Sequence, residues 1–156
     1  MSNVRTMPSR DKILEAVQKY FSIGELVDDR TKKAYGERAW RFFDDKLLWA
    51  IVIVREGLDK KMYINRGSLQ QRGLRVNVCQ IVKDKTLANK LYLSAHTRGC
   101  AVDFDIEGMT AEEVRDWIED NANLFPFKIR LEDGVSWVHL DTDYEEKNPK
   151  VYRFDP

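Results

Sequence analysis

Apolar side chains early in the chain recur at helical spacing. Ile13, Leu14, Val17 and Phe21 lie one turn apart, and Ser9 stands where an N-cap is needed, so a helix is predicted to about residue 21. The charged stretch 28–33 reads as a loop or the start of a helix. A second helix is expected over 39–56, rich in Trp, Phe and Leu, with Gly57 as its stop. After it the pattern shortens. Residues 62–65 suit a short strand, and 66–77, polar and punctuated by Gly67 and Gly73, suits a long loop lining a cleft. Residues 83–90 read as polar surface. Thr110 with Glu113 three residues on is a capping-box signature for a helix to about residue 121, with Val114, Trp117 and Ile118 on one face. Alternation marks strands over 100–106, 127–131 and 135–141, with Glu132, Asp133 and Gly134 as the turn between the last two. Residues 151–154 suit a short edge strand. This order predicts an α+β fold: a small, mostly antiparallel sheet, N-terminal helices packed on it, and one helix inserted between two of its strands.

Length and composition narrow the function classes. The chain of 156 residues suits one domain, with 1–60 as a helical lead-in and 61–156 as the core. Its hydrophobic fraction of 43% supports a core without disulfide staples, so Cys79 and Cys100 read as free thiols. Basic and acidic residues number 26 each, which leaves no electrostatic case for nucleic acid as the partner. The longest apolar run, 47–54, is too short to span a bilayer. The N-terminal residues 1–10 are polar and lack a signal core. The expectation is synthesis in the cytoplasm, with another agent releasing the protein if its target lies outside.

Strand alternation then isolates a polar face. In 100–106, Cys100, Val102, Phe104 and Ile106 form one side, and Ala101, Asp103 and Asp105 the other. In 135–141, Val138 and Leu140 are the core pair, while Trp137, His139 and Asp141 share the opposite side. If the two strands are neighbours, Asp103 and His139 converge on one cleft. His96 precedes Asp103 through a turn that Gly99 permits, so its ring can fold back over that strand. His96 and His139 are the two histidines of the chain. Two imidazoles and one carboxylate with a fourth position open are the ligand set of a catalytic zinc centre.

At these residues the sequence resembles a known family. Ser94-Ala95-His96-Thr97-Arg98-Gly99-Cys100-Ala101-Val102-Asp103 resembles the SxHxxGxAxD motif of the zinc D-alanyl-D-alanine carboxypeptidase and L-alanyl-D-glutamate endopeptidase family, whose scaffold the hedgehog signalling domain shares. Trp137-Val138-His139-Leu140-Asp141 resembles that family's second motif, xHxD after an aromatic or apolar residue. The resemblance spans about residues 61–142. It implies zinc ligands at His96, Asp103 and His139, with Ser94 lining the site and Gly99 and Ala101 giving close packing. It implies cleavage of stem or cross-link peptides of bacterial peptidoglycan, at the cell wall. The small form is similar to phage and prophage endolysins, which implies a pore-forming partner or virion for export.

Two departures from the family pattern stand out. The acid that many members place three residues before the last ligand is here Ser136. In the hedgehog-like arrangement it stands six before, at Asp133, with Glu132 beside it; either one is a candidate for the catalytic base. Asp141 is then expected to orient His139, beside Trp137. The family's substrate-gripping arginine, in a glycine-rich segment before the first motif, corresponds to Arg66 or Arg72. The missing acid leaves an alternative: a zinc-stabilised binding or structural module of the same fold.

Overall fold

The computed structural model describes residues 5–156; the start of the polar N-terminal stretch lies outside them. Helix α1 spans Arg10–Gln18, capped by Ser9, whose Oγ accepts from the Lys12 N–H, and it buries Ile13 and Val17. The charged stretch at residue 28 starts a helix. Asp28 accepts from the Thr31 N–H at 2.8 Å and caps α2, Asp29–Tyr35.

The long second helix predicted over 39–56 is instead broken in two. A tight 3-10 stretch, Gly36–Phe42, ends at Phe43 and Asp44 in extended backbone, and α3 then runs Asp45–Leu58. The break is stabilised from α1 and from a loop. The Arg10 guanidinium takes the carbonyls of Trp40 and Phe43 at 2.8 and 3.0 Å, and the Asp44 N–H donates to the Gly99 carbonyl at 3.0 Å. Those bonds replace the ones a continuous helix would supply. In α3, Leu47, Leu48 and every residue from Ala50 to Val54 are buried, so the helix is enclosed on most sides. Gly57 lies inside it and does not stop it. A Cβ there would sit 2.3 Å from the Trp117 ring, so the glycine serves close packing, and Asp59 in the left-handed region ends the helix.

Five strands follow: β1 Met62–Tyr63, β2 Ala101–Ile106, β3 Ile129–Glu132, β4 Val138–Asp141 and β5 Val151–Phe154. Their order is β1-β2-β4-β3-β5, antiparallel except for the parallel pair β3 and β5. Helix α5, Ala111–Asp120, is inserted between β2 and β3 and opens on the expected capping box. The fold is therefore α+β, with helices on a mostly antiparallel sheet. The stretch expected as polar surface forms a helix, α4, Gln80–Leu87, none of whose residues is buried. Its weak periodicity reflects that lack of a core face.

The turn before β4 is also drawn differently. Glu132 closes β3 instead of entering the turn, and β4 starts only at Val138. Residues 135–137 leave the ladder because buried Arg115 of α5 takes the carbonyls of Glu132, Val135 and Trp137 at 3.4, 3.3 and 3.1 Å. Val102, Phe104, Leu131 and Leu140 of the sheet and Ile13, Leu48 and Ile51 of the lead-in belong to one apolar cluster. The polar face of the sheet is left to carry the site. Both cysteines are free, Cys79 buried and Cys100 half-buried. Among the described residues, no helix is long and apolar enough to cross a membrane.

Candidate metal centre

The register between β2 and β4 puts Asp103 directly opposite His139. Side chains opposite each other in an antiparallel pair share one face. The segment ahead of β2 supplies the third group. Ser94 starts a turn: its Oγ accepts from the Thr97 N–H at 3.3 Å, and its carbonyl accepts from Thr97 Oγ1 at 2.8 Å. The chain then reverses at Gly99, with φ of +70°. A Cβ there would lie 1.9 Å from the Phe42 carbonyl oxygen, so only glycine fits. The turn delivers His96 over β2.

One ligand atom each from His96, Asp103 and His139 lies within 4.8 Å of the others, and all three residues are buried. Asp103 Oδ1 is 3.3 Å from His96 Nε2 and 2.9 Å from His139 Nδ1. The far side of each ring is occupied. His96 Nδ1 lies 2.9 Å from the Gly73 carbonyl, an acceptor only, so this nitrogen carries the proton and donates. His139 Nε2 lies 2.7 Å from Asp141 Oδ2, which likewise calls for a donor. Asp141 is fully buried and cannot turn away: Arg130 grips it with two bonds of 2.8 and 3.0 Å, and the Asp143 N–H donates to it.

With both neutral rings so tautomerised, three lone-pair acceptors face one point. His96 Nε2, His139 Nδ1 and Asp103 Oδ1 would repel one another unless a cation lies among them. A proton is one solution. Burial disfavours a charged imidazole, yet the bonds to Asp103 and Asp141 push His139 up to about 9. Burial would raise the Asp103 carboxyl, but hydrogen bonds from His139 and His96 outweigh it and hold it well below the usual carboxylate range. A metal ion is the other solution, and these residues fit one: two imidazole nitrogens and one carboxylate, their outer nitrogens already bonded to acceptors, as ligating histidines are.

The cleft over this point has a volume of about 520 Å³. Ser94, Trp137, Glu132, Arg75 and Arg130 line it with the ligand triad. The structure thus brings together seven of the residues singled out from sequence: His96, Asp103, His139, Asp141, Ser94, Trp137 and Glu132. Asp133 is not among them. It binds Arg153 Nε at 2.8 Å and lies 3.8 Å from Arg115, on the α5 side of the turn. Ser136 faces a separate cavity beside α5. Neither Arg66 nor Arg72 lines the cleft. Arg66 stacks over the Tyr63 ring at 4.2 Å, and Arg72 pairs with Asp105 at 2.8 Å. Arg72 acts on the site through its backbone, its carbonyl accepting from the Asp103 N–H at 2.7 Å.

Sequence reasoning missed Arg75. Its guanidinium reaches Asp103 Oδ2 at 3.3 Å and the Tyr92 hydroxyl at 2.9 Å, and it lines the cleft. The glycine-rich segment that resembles the family's, residues 65–73, stops two residues before it, although Arg75 falls within the loop 66–77 expected to line a cleft. Gly73 itself was the available signal. A Cβ there would lie 2.1 Å from the Leu26 carbonyl oxygen, and the Gly73 carbonyl is the partner of His96. The chain held against both Leu26 and His96 at Gly73 is the chain that carries Arg75 to the cleft. No family model, curated protein or solved structure matches this chain.

Proposed function

We propose that the protein is a zinc-dependent peptidase that hydrolyses short peptides of bacterial peptidoglycan, as a carboxypeptidase or endopeptidase of phage-lysis type. The observation that carries this reading is the convergence of three buried acceptors, His96 Nε2, His139 Nδ1 and Asp103 Oδ1, with both ring tautomers set by outer partners. The substrate class rests on the resemblance of residues 94–103 and 137–141 to the peptidase motifs. Zinc, when bound, supplies Lewis acidity toward an amide carbonyl and lowers the pKa of water.

The chain's own groups take the remaining roles. Glu132 lines the cleft and is the general base that accepts the proton of the attacking water and passes it to the leaving amine. Asp133 is engaged by Arg153 and is left out of that role. Arg75, whose guanidinium is held by the Gln71 carbonyl, the Tyr92 hydroxyl and Asp103, orients the Asp103 carboxylate from the cleft wall. Trp137 is an exposed aromatic wall against which a peptide can lie.

The test combines metal content with digestion of purified peptidoglycan, its fragments read by mass. One zinc per chain is expected, lost in His96→Ala and His139→Ala. Glu132→Gln should keep the metal and lose at least about 100-fold in rate, while Asp133→Asn should keep most activity. Full zinc occupancy without any released fragment would favour the binding-module reading instead. Stoichiometric zinc in both histidine variants would remove the metal site itself.

A further inference from the structure

A second and larger cavity, about 770 Å³, opens beside the metal cleft. Arg75 and Leu93 line both, so the two spaces adjoin at those side chains. Helix α2 contributes Arg30 and Tyr35, the loop before α4 contributes Val76 and Val78, and α4 contributes Val82. Tyr35, Val78 and Leu93 are large apolar side chains left exposed. Scattered singly they would need no explanation. Gathered in one concavity of ligand size, they indicate a surface that is covered in use.

The charges of this cavity have one sign. Arg30, Arg75 and Arg98 line it, and no carboxylate does. Arg98 is paired with Asp143, and Arg75 is held by Asp103 and Tyr92. Arg30 makes no ion pair among the described residues. Arg30 is exposed at the edge of the cavity, so its guanidinium is free to meet an anion there, while a small hydrophilic anion alone would leave the apolar walls wet.

We propose that the cavity binds an aliphatic arm ending in a carboxylate, the portion of a peptide substrate that continues from the metal cleft past Arg75. The apolar walls take the methylene chain and Arg30 meets the anion. The identity of what bears the arm rests on the peptidase reading above; the cavity's own preference does not.

Octanoate, an eight-carbon carboxylate, tests that preference on the full-length, metal-loaded protein by methyl NMR. Octanoate should shift the methyl signals of Val76, Val78, Val82 and Leu93. Octanol, equal in length and uncharged, should bind about tenfold more weakly, and Arg30→Ala should weaken octanoate by a similar factor. Ala34→Trp places an indole in the cavity from an exposed position on α2, where the fold tolerates it, and should abolish the shifts. Silence of those methyls at millimolar octanoate, equal binding of octanol, or undiminished binding in Ala34→Trp would each overturn the proposal. Octanoate binding in a protein that releases no peptidoglycan fragment would leave this site standing and remove the peptidase reading. Hydrolysis by a protein that ignores octanoate would do the reverse.

Discussion

Asp141 shows how much of the site's chemistry lies one residue behind the ligands. Its carboxylate is fully buried, bonded to His139 Nε2, and clamped by Arg130. Burial alone would raise its pKa, but His139 and Arg130 outweigh this and keep it ionised. An ionised acceptor at that point fixes the tautomer that leaves Nδ1 free. Asp141→Asn removes the charge and can present its amide N–H to the ring. Metal affinity should then fall about 10- to 100-fold with the fold retained, read by competition with a chelator; unchanged affinity would remove Asp141 from this role. The importance of Asp141 was legible in sequence from alternation, two residues beyond His139 on the same side of a strand. Arg130 was not, because its partnership depends on the register of β3 against β4.

At the level of elements, the first motif works through packing as much as through its ligands. Gly99 combines a positive φ with a backbone contact to Phe42, and its carbonyl receives the Asp44 N–H at the break before α3. That contact ties the His96 turn to the helical lead-in. Gly99→Ala adds left-handed strain of about 1–2 kcal/mol to a clash that must move backbone. The combined loss should reach about 3 kcal/mol or more, seen as a lower midpoint in urea. A stability equal to that of the parent would mean the turn is free to relax, contrary to the fit described. The capping box of α5 and the alternation of β2 were plain in sequence because each is a local pattern. The break between the 3-10 stretch and α3 was hidden because Arg10, more than 25 residues earlier, supplies the bonds that stabilise it. Glu132 was assigned to a turn for the same reason: its place at the end of β3 follows from pairing with β5 and from Arg115 of α5.

For the molecule as a whole, the site links stability to pH and metal. In the metal-free protein His139 is raised from 6.5 to about 9. A raised pKa contributes stability that is fully present below about 6.5 and is lost as pH rises through about 9. Asp103 and Asp141 are depressed, so their contribution is present above about 3.8 and lost as pH falls toward their folded values. Thermal melting with a chelator should therefore show Tm declining between pH 6.5 and 9. Zinc competes with the proton held among the same three acceptors, so the gain in Tm on adding zinc should widen over that interval, the stabilisation reaching about 4 kcal/mol when free metal is 1,000 times its Kd. A metal-free Tm that is level or rising there would contradict the shared-proton description. The sequence by itself determined the α+β class, the polar face of β2 and β4, and the three acceptors on and before them, because period-two alternation and a glycine turn act over a few residues. Only the tertiary structure decided that β2 and β4 are neighbours in the register that sets Asp103 against His139. It alone separated Glu132 from Asp133 and brought Arg75, not Arg66 or Arg72, to the cleft. These choices depend on contacts between residues far apart in the chain, where strand pairing and buried guanidinium bonds, not local propensity, set the lowest free energy.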